Sequence, residues 1–217
     1  MPCVKLAGVL AFAALLNAAD SEVWTFDRLT QIGGHVPTVL GHPKVIETEV
    51  GKAIEFNGVD DALFFDVHPL AGAQVFTWEV MFRPDPGGRP EQRFFHLQEN
   101  GTQTRLLFET RLIDGQWCLD SFAAAGGAGK TLIDRTRLHS TGAWHTAALV
   151  YDGNELRNYV DGELQGRGMV HLIPQKEGRT SVGVRINKVD YFKGAIRMAR
   201  MSRRALAPEE FLRVPGK

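Results

Sequence analysis

The chain has 217 residues, with 25 lysines and arginines, 25 aspartates and glutamates, and a formal net charge of zero. This length suits one large domain with a substantial buried core and does not require two domains. The neutral balance argues against a nucleic-acid-binding protein, which normally carries a basic face.

The amino terminus has the pattern of a secretory signal peptide. A lysine at position 5 precedes an apolar run over residues 6–16, and small residues follow the run. The run is shorter than the ~20 apolar residues that a membrane-spanning helix needs. We therefore predict a signal peptide at residues 1–19 and a secreted or periplasmic domain at residues 20–217. No membrane span is expected after signal removal.

Signal cleavage would also change the cysteine content. It would remove Cys3 and leave Cys118 as the single cysteine. One cysteine cannot form an internal disulfide, even in an oxidising compartment. We interpret Cys118 as a small buried apolar residue, so that the fold must be held together by packing alone.

Short strand-like segments recur between residues 23 and 211, separated by Gly, Pro, Asn and Asp. This spacing is typical of a β-sandwich. Only residues 207–211 look helical, because a proline stands at the first turn and acidic residues follow it. The predicted strands are residues 23–26, 53–56, 62–65, 76–83, 93–98, 106–112, 116–122, 144–151, 155–160, 181–184 and 195–202.

Two of these strands, residues 144–151 and 155–160, are each closed by an Asp-Gly pair. Asp-Gly pairs readily adopt the positive φ angles that tight hairpin turns require. Residues 144–151 are largely apolar on both faces, which places the strand between two layers. The glycine-rich residues 123–130 lack the spacing of a phosphate-binding loop, and we predict a flexible loop between strands there.

Several segments in the right order resemble the laminin-G-like jelly rolls of the concanavalin A-like lectin/glucanase superfamily. The resemblance covers nearly the whole mature chain and implies an all-β, two-sheet antiparallel jelly-roll sandwich. Because these segments are mostly structural signatures, they indicate the fold and say little about chemistry. They are residues 24–27, 51–61, 76–84, 144–162, 192–196 and 203–211.

The resemblance also implies a possible structural calcium, because many relatives carry an acidic residue just after the Gly-x-Ile of the final strand. Here that residue is Arg197, and a guanidinium offers no oxygen ligand. We therefore expect no cofactor or metal. We hypothesise that Arg197 itself provides the positive charge and pairs with Asp27. The alternative is that Arg197 is an exposed sheet residue.

Since the superfamily contains glycoside hydrolases, catalysis has to be considered. These enzymes generally use two carboxylates, yet no strand carries the alternating acids that would project a pair onto one face. The acid pairs at residues 60–61 and 209–210 fall in a predicted turn and a predicted helix. The seven histidines are scattered, without metal-site spacing or a nucleophile motif. We predict a non-catalytic protein, with a divergent glycoside hydrolase or polysaccharide lyase as the alternative.

A polar and aromatic face is the candidate binding site. If the strands at residues 76–83, 106–112 and 116–122 are neighbours, five side chains share the open face of one sheet. Planar donors and acceptors beside an aromatic ring suit sugar hydroxyls and the apolar face of a pyranose. The alternative is that the tryptophan is core and the charges pair across strands. The candidate residues are Glu79, Arg83, Glu109, Arg111 and Trp117.

We therefore predict a secreted binding domain whose partner is a carbohydrate or a surface glycoconjugate. A second alternative is a protein-interaction or adhesion domain with a surface protein as its partner. Such a domain would act through loops, including the Gly- and Pro-rich residues 84–90.

Overall fold

Two antiparallel sheets stack face to face in residues 20–217, the part of the chain that the computed structural model describes. The predicted signal peptide at residues 1–19 lies outside the described residues. The strands are β1 Ser21–Thr25, β2 Thr38–Leu40, β3 Lys44–Ile46, β4 Ala53–Asn57, β5 Ala62–Phe65, β6 Phe76–Pro84, β7 Glu91–Glu99, β8 Arg105–Ile113, β9 Gln116–Ala125, β10 Ala128–Ile133, β11 His139–Ser140, β12 His145–Tyr151, β13 Glu155–Val160, β14 Glu163–Met169, β15 Gly178–Val182 and β16 Lys193–Ser202.

The back sheet has the strand order β14-β13-β12-β6-β16-β4-β3, and β1 pairs with β16. The front sheet has the order β10-β9-β8-β7-β15-β5-β2, and β11 pairs with β9. The chain crosses between the sheets several times, and two of these crossings lie between β6 and β7 and between β11 and β12. This arrangement confirms the predicted two-sheet antiparallel jelly-roll sandwich.

The predicted Asp-Gly turn after β13 is present, and another Asp-Gly turn follows β8, whereas in the predicted pair after β12 only Gly153 has a positive φ angle, of 102°. Asp161 and Gly162 have φ angles of 51° and 85°, while Asp114 and Gly115 have 49° and 79°. Positive φ at both central residues is the geometry of the type I′ hairpin turn, which matches the twist of the flanking strands. The local sequence therefore determines where these two hairpins reverse.

Between the sheets lies an aromatic core to which β6 contributes its predicted apolar face. Phe76, Trp78, Val80 and Phe82 all belong to this core. The Phe82 ring stacks on Phe94 with centroids 4.2 Å apart. These residues come from both sheets, so their packing holds the two layers together.

The carboxyl-terminal segment, residues 203–217, covers the outer face of the back sheet. Leu206 and Phe211 pack on Ala148, Val150 and Tyr159 in a second apolar cluster. Strand β12 is thus buried on both faces, as its sequence predicts, but one of its two covering layers is this segment. The predicted helix is a single 3-10 turn, Pro208–Glu210.

The prediction of a flexible loop at residues 123–130 is wrong. Strand β9 continues to Ala125, Gly126 and Gly127 form the turn with φ angles of 62° and 82°, and β10 begins at Ala128. Alanine and glycine have low strand propensity, so their pairing depends on neighbouring strands rather than on their own preference. The other strands absent from the prediction are β2, β3, β11 and β14, which are short or glycine-containing. Within residues 20–217, no helix has the length and apolar character needed to cross a membrane.

Candidate functional site

The five predicted binding residues do not share one face. Glu79 and Arg83 lie on β6 in the back sheet, where β6 pairs with β12 and β16. Glu109 and Arg111 lie on β8 in the front sheet. The prediction is wrong on this point because the chain crosses from one sheet to the other after β6.

Glu79 lies beneath the carboxyl-terminal segment and is 1% exposed. Its carboxylate accepts hydrogen bonds from Arg200 Nε at 2.6 Å and Arg200 Nη2 at 3.0 Å, and from the Leu212 amide at 2.7 Å. Burial raises the pKa of Glu79, and the hydrogen bond from Arg200 opposes the rise. Glu79 therefore anchors residues 203–217 to the back sheet and does not face solvent.

Arg83 is bound to an acidic neighbour at the edge of a cleft. Its Nε and Nη2 donate to the two carboxylate oxygens of Asp85 at 2.7 and 3.1 Å, and its guanidinium lies 5.5 Å from the Trp144 ring centroid. Asp85 lines a polar cleft of about 430 Å³. The bidentate pair with Asp85 occupies two of the five N–H donors of Arg83.

Trp117 points into the core and is fully buried. In the β8–β9 register Arg111 is opposite Cys118, and Trp117 is opposite Leu112, so Trp117 and Arg111 project to opposite faces. The indole Nε1 of Trp117 donates to the Ser140 carbonyl at 3.1 Å. The alternative that Trp117 is a core residue is therefore confirmed.

Glu109 and Arg111 do lie together, within a group of charged side chains on the outer face of the front sheet. The β7–β8–β9 register places Arg93, Glu109 and Asp120 in one cross-strand row and pairs Glu91 with Arg111 in the next. The acids in these two rows come from three adjacent strands, so the residue pattern of a single strand does not reveal them. We call this group the charged cluster: Glu91, Arg93, Glu109, Arg111, Asp120 and Asp190.

Two arginines hold the carboxylates of the charged cluster in place. Arg111 Nη2 lies 2.6 Å from Asp120 Oδ2 and 2.9 Å from Glu109 Oε2. Arg93 Nε lies 2.9 Å from Glu109 Oε2 and also contacts Asp190 through Nη1. The buried Asp120 Oδ1 has no hydrogen-bond partner among the described residues, so the cluster retains acceptor capacity.

Among the charged cluster, Glu109 has the largest shift in pKa. It is 5% exposed. Burial and the neighbouring Asp120 carboxylate raise the pKa of Glu109 to about 7, against the attraction of Arg93 and Arg111. Both Glu109 and Asp120 lie within hydrogen-bonding distance of one Arg111 nitrogen. The pair thus combines a carboxyl group that titrates near neutral pH with an adjacent carboxylate.

This buried carboxyl group gives a pH prediction. Because the pKa of Glu109 lies above its ordinary value of 4.5, the folded protein retains a proton that the unfolded chain releases between about pH 4.5 and 7. Stability therefore falls as pH rises through this window. Between pH 5 and pH 8 we expect the free energy of unfolding to fall by roughly 1–3 kcal/mol more in the wild type than in Glu109→Gln, whose side chain cannot ionise. Urea unfolding of both proteins at each pH measures the difference, and parallel pH profiles would contradict it.

An aromatic side chain that is not among the predicted binding residues also lies on this outer face. Phe122 is two residues after Asp120 on β9 and is half-buried. The guanidinium of Arg105 lies 4.6 Å from its ring centroid. The two-residue period of β9 could have identified Phe122, since Asp120 and Phe122 must share a face.

The hypothesised pairing of Arg197 with Asp27 is wrong. Asp27 is paired with Arg28, which donates to it at 2.8 and 3.1 Å and lowers its pKa. Arg197 instead donates to the backbone carbonyls of Val50, at 2.6 Å from Nε, and Lys52, at 3.2 Å from Nη1. These carbonyl oxygens therefore accept hydrogen bonds from the positively charged side chain of Arg197. The residues at this position do not fit a calcium ion.

We accordingly expect calcium to leave the stability of the protein unchanged. Adding millimolar calcium or a chelator should shift the melting temperature by less than ~1 °C, because a ligand stabilises a fold only when it binds the folded state. Arg197→Met should lower the melting temperature in both conditions, since two carbonyls lose their donor. A calcium-dependent rise of several degrees in the wild type would contradict this account.

His145 and Asp161 form a second polar pair, at the edge of the back sheet. His145 Nδ1 lies 2.8 Å from Asp161 Oδ2, and its Nε2 lies 3.2 Å from the Ser140 carbonyl. Both ring nitrogens are therefore engaged, and the ring is buried. Lys217 Nζ also binds Asp161, at 2.9 Å. This arrangement ties the end of the chain to the β13–β14 turn and presents no free nitrogen to a nucleophile.

The two-sheet antiparallel jelly roll is consistent with a sandwich domain of the lectin and glucanase class. The profile of the Laminin_G_3 family, described as the concanavalin A-like lectin/glucanases superfamily, matches residues 57–211. The chain belongs to this family. No curated protein sequence matches the chain.

Three solved structures illustrate the similarity of the fold. Domain 4 of AbnA, a GH43 extracellular arabinanase from Geobacillus stearothermophilus, in complex with arabinotriose, has a TM-score of 0.65 at 18% identity over 88% of this chain and 97% of that one. The binding domain of Paraclostridial Mosquitocidal Protein 1 has a TM-score of 0.66 at 12% identity over 88% and 51%. The binding domain of Botulinum Neurotoxin DC in complex with SialylT has 0.62 at 11% over 88% and 49%. The chain thus spans about half the length of the two toxin binding domains.

Proposed function

We propose that this protein is a secreted, non-catalytic domain that binds carbohydrate or a glycoconjugate through the outer face of the front sheet. The observation that carries the proposal is the charged cluster beside Phe122 on that face. Guanidinium and carboxylate groups donate to and accept from sugar hydroxyls in planar geometry, and an aromatic ring packs on the apolar face of a pyranose. The aromatic residue of this site is Phe122, because the predicted Trp117 is buried in the core.

The similar structures support this ligand class. The arabinanase domain was determined with arabinotriose, and the neurotoxin domain with SialylT. At such low sequence identities the similarity shows a shared fold only. The position of the proposed site therefore depends on the residues of this chain. The proposal of secretion rests on the signal-peptide pattern of residues 1–19.

A glycan array followed by calorimetric titration tests the proposal. We expect a specific hit whose affinity falls at least tenfold in Phe122→Ala and in Arg111→Gln. The matched control is Arg167→Gln, because Arg167 lies on β14 of the back sheet with a side chain that is 68% exposed. Binding that survives both front-sheet variants would place the site elsewhere. Binding of no glycan would overturn the proposal and favour a protein partner.

Glycoside hydrolysis is the second candidate, favoured by the Glu109 and Asp120 pair. A retaining glycosidase needs a protonated carboxylic acid and a carboxylate ≈5–5.5 Å apart. Glu109 has a raised pKa, and both carboxyl groups contact the same Arg111 nitrogen. Release of reducing ends from a polysaccharide panel, lost in Glu109→Gln and Asp120→Asn, would establish hydrolysis. Binding without release would retain the non-catalytic assignment.

A further inference from the structure

Two arginines next to the charged cluster differ from those within it. Arg105 and Arg185 are half-buried, and neither has a carboxylate within 4 Å in the part of the chain that is described. Arg93 and Arg111, by contrast, each contact several carboxylates. Among the described residues neither guanidinium therefore forms an ion pair, and the nearby Glu109 attracts both only at longer range.

The Arg105 guanidinium and the backbone at Arg185 both lie beside one cross-strand row of the front sheet. His96 on β7 is opposite Leu107 on β8, and Leu107 is opposite Phe122 on β9. Arg105 reaches this row by lying over the Phe122 ring at 4.6 Å. The backbone at Arg185 adjoins this row, because the next residue, Ile186, donates its backbone N–H to His96 Nδ1 at 3.1 Å. We call this group the arginine cradle: His96, Arg105, Phe122 and Arg185.

The cradle holds buried donors that lack acceptors. Because His96 Nδ1 accepts from Ile186, the proton of the neutral ring is on Nε2, and this buried nitrogen has no partner in residues 20–217. His96 is fully buried, and burial lowers its pKa to about 3, so the ring is neutral at physiological pH. Among these same residues Arg105 Nε is likewise buried without a partner, and Arg105 Nη1 donates to Gln103.

Like charges held together in a partly buried site cost free energy, and so do buried donors without acceptors. Arg105 and Arg185 both act on His96, and Arg185 with burial lowers the pKa of Arg105. An oxyanion beside the two guanidiniums would relieve the repulsion between them, because its oxygens accept charge-assisted hydrogen bonds and its charge opposes theirs.

We propose that the arginine cradle binds the anionic group, a carboxylate or a sulfate, of an acidic glycan. This inference rests on the proposed function, whose face adjoins the cradle. The sugar ring would lie against Phe122 and the charged cluster, while Arg105 and Arg185 clamp the anionic substituent. The cradle thus specifies acidic over neutral sugars.

Matched pairs of glycans test the inference: sialyllactose against lactose, trigalacturonate against its methyl ester, and a sulfated lactosamine against the unsulfated form. We expect the wild type to bind one acidic member at least tenfold more tightly than its neutral counterpart, and added salt to reduce this preference. Arg185→Ala and Arg105→Gln should each bring the two affinities within about twofold of one another. The matched control is Arg167→Ala on the back sheet, which removes the same charge and should keep the preference.

The first two pairs report a carboxylate and the third reports a sulfate. Equal binding of acidic and neutral members by the wild type would overturn the inference and leave carbohydrate binding intact. A preference that persists in both cradle variants would also overturn it, since the anion would then bind elsewhere. Binding of no glycan would refute the proposed function itself, and the inference with it. Melting temperatures of the variants verify that each one is folded.

Discussion

We expect Trp117→Ala to lower the free energy of unfolding by about 3–5 kcal/mol, the range found when a buried aromatic side chain is removed from a core. Trp117 is fully buried, and its ring lies 5.2 Å from Phe82 across the sheets and 4.9 Å from His139. The substitution leaves a cavity at this contact and removes the donor to the Ser140 carbonyl, which helps to hold β11. Equilibrium unfolding in urea, followed by circular dichroism, measures the loss.

Trp117→Phe is the matched control for this prediction. It keeps an aromatic ring in the core and loses only the indole donor and part of the volume, so the destabilisation should be smaller. A Trp117→Ala protein with wild-type stability and no glycan binding would show that Trp117 contacts ligand. That result would contradict its position in the core.

We expect Glu79→Ala to lower the free energy of unfolding by about 3–5 kcal/mol as well, because the substitution breaks a buried ion pair and leaves the charge of Arg200 uncompensated. Arg200, whose side chain is 18% exposed, would lose both carboxylate contacts, and the Leu212 amide would lose its acceptor. The carboxyl-terminal segment should detach more readily from the back sheet. Urea unfolding gives the stability change, and limited proteolysis followed by mass spectrometry detects cleavage within residues 203–217.

A surface glutamate provides the comparison for Glu79. Glu47 pairs with Lys52 at 3.5 Å, and its side chain is 77% exposed, so Glu47→Ala should change stability by less than ~1 kcal/mol. The double variant Glu79→Leu/Arg200→Leu should recover much of the loss, since apolar residues of similar size can replace a buried ion pair. Equal effects of Glu79→Ala and Glu47→Ala would mean that Glu79 does not hold the segment.

The sequence predicts the local structure of this protein well where side-chain alternation is strong. The apolar face of β6, the two-sided burial of β12 and the Asp-Gly turn at Asp161 follow from a two-residue period and from turn chemistry. The ordered segments also indicate the superfamily. Strands with weaker alternation were not predicted, including β10 and β14, because their residues gain strand structure mainly through pairing with neighbours.

The candidate site depends on which strands are neighbours and on which face each side chain lies. The residue pattern of a single strand gives neither. The predicted site has Glu79 beside Glu109, which requires both residues to be in one sheet. They are in different sheets, because the chain crosses between the sheets after β6. Trp117 and Arg111 were assigned to one face, yet a one-residue difference in register puts them on opposite faces.

By itself, the sequence determined the sandwich class, most strand positions and the inward face of β6, because each of these depends on residues close together in the chain. Only the tertiary structure decided that Glu91, Glu109 and Asp120 meet on one outer face, and that residues 203–217 cover the other sheet. The physical reason is that strand neighbours and covered faces arise from long-range packing, which brings together residues far apart in sequence.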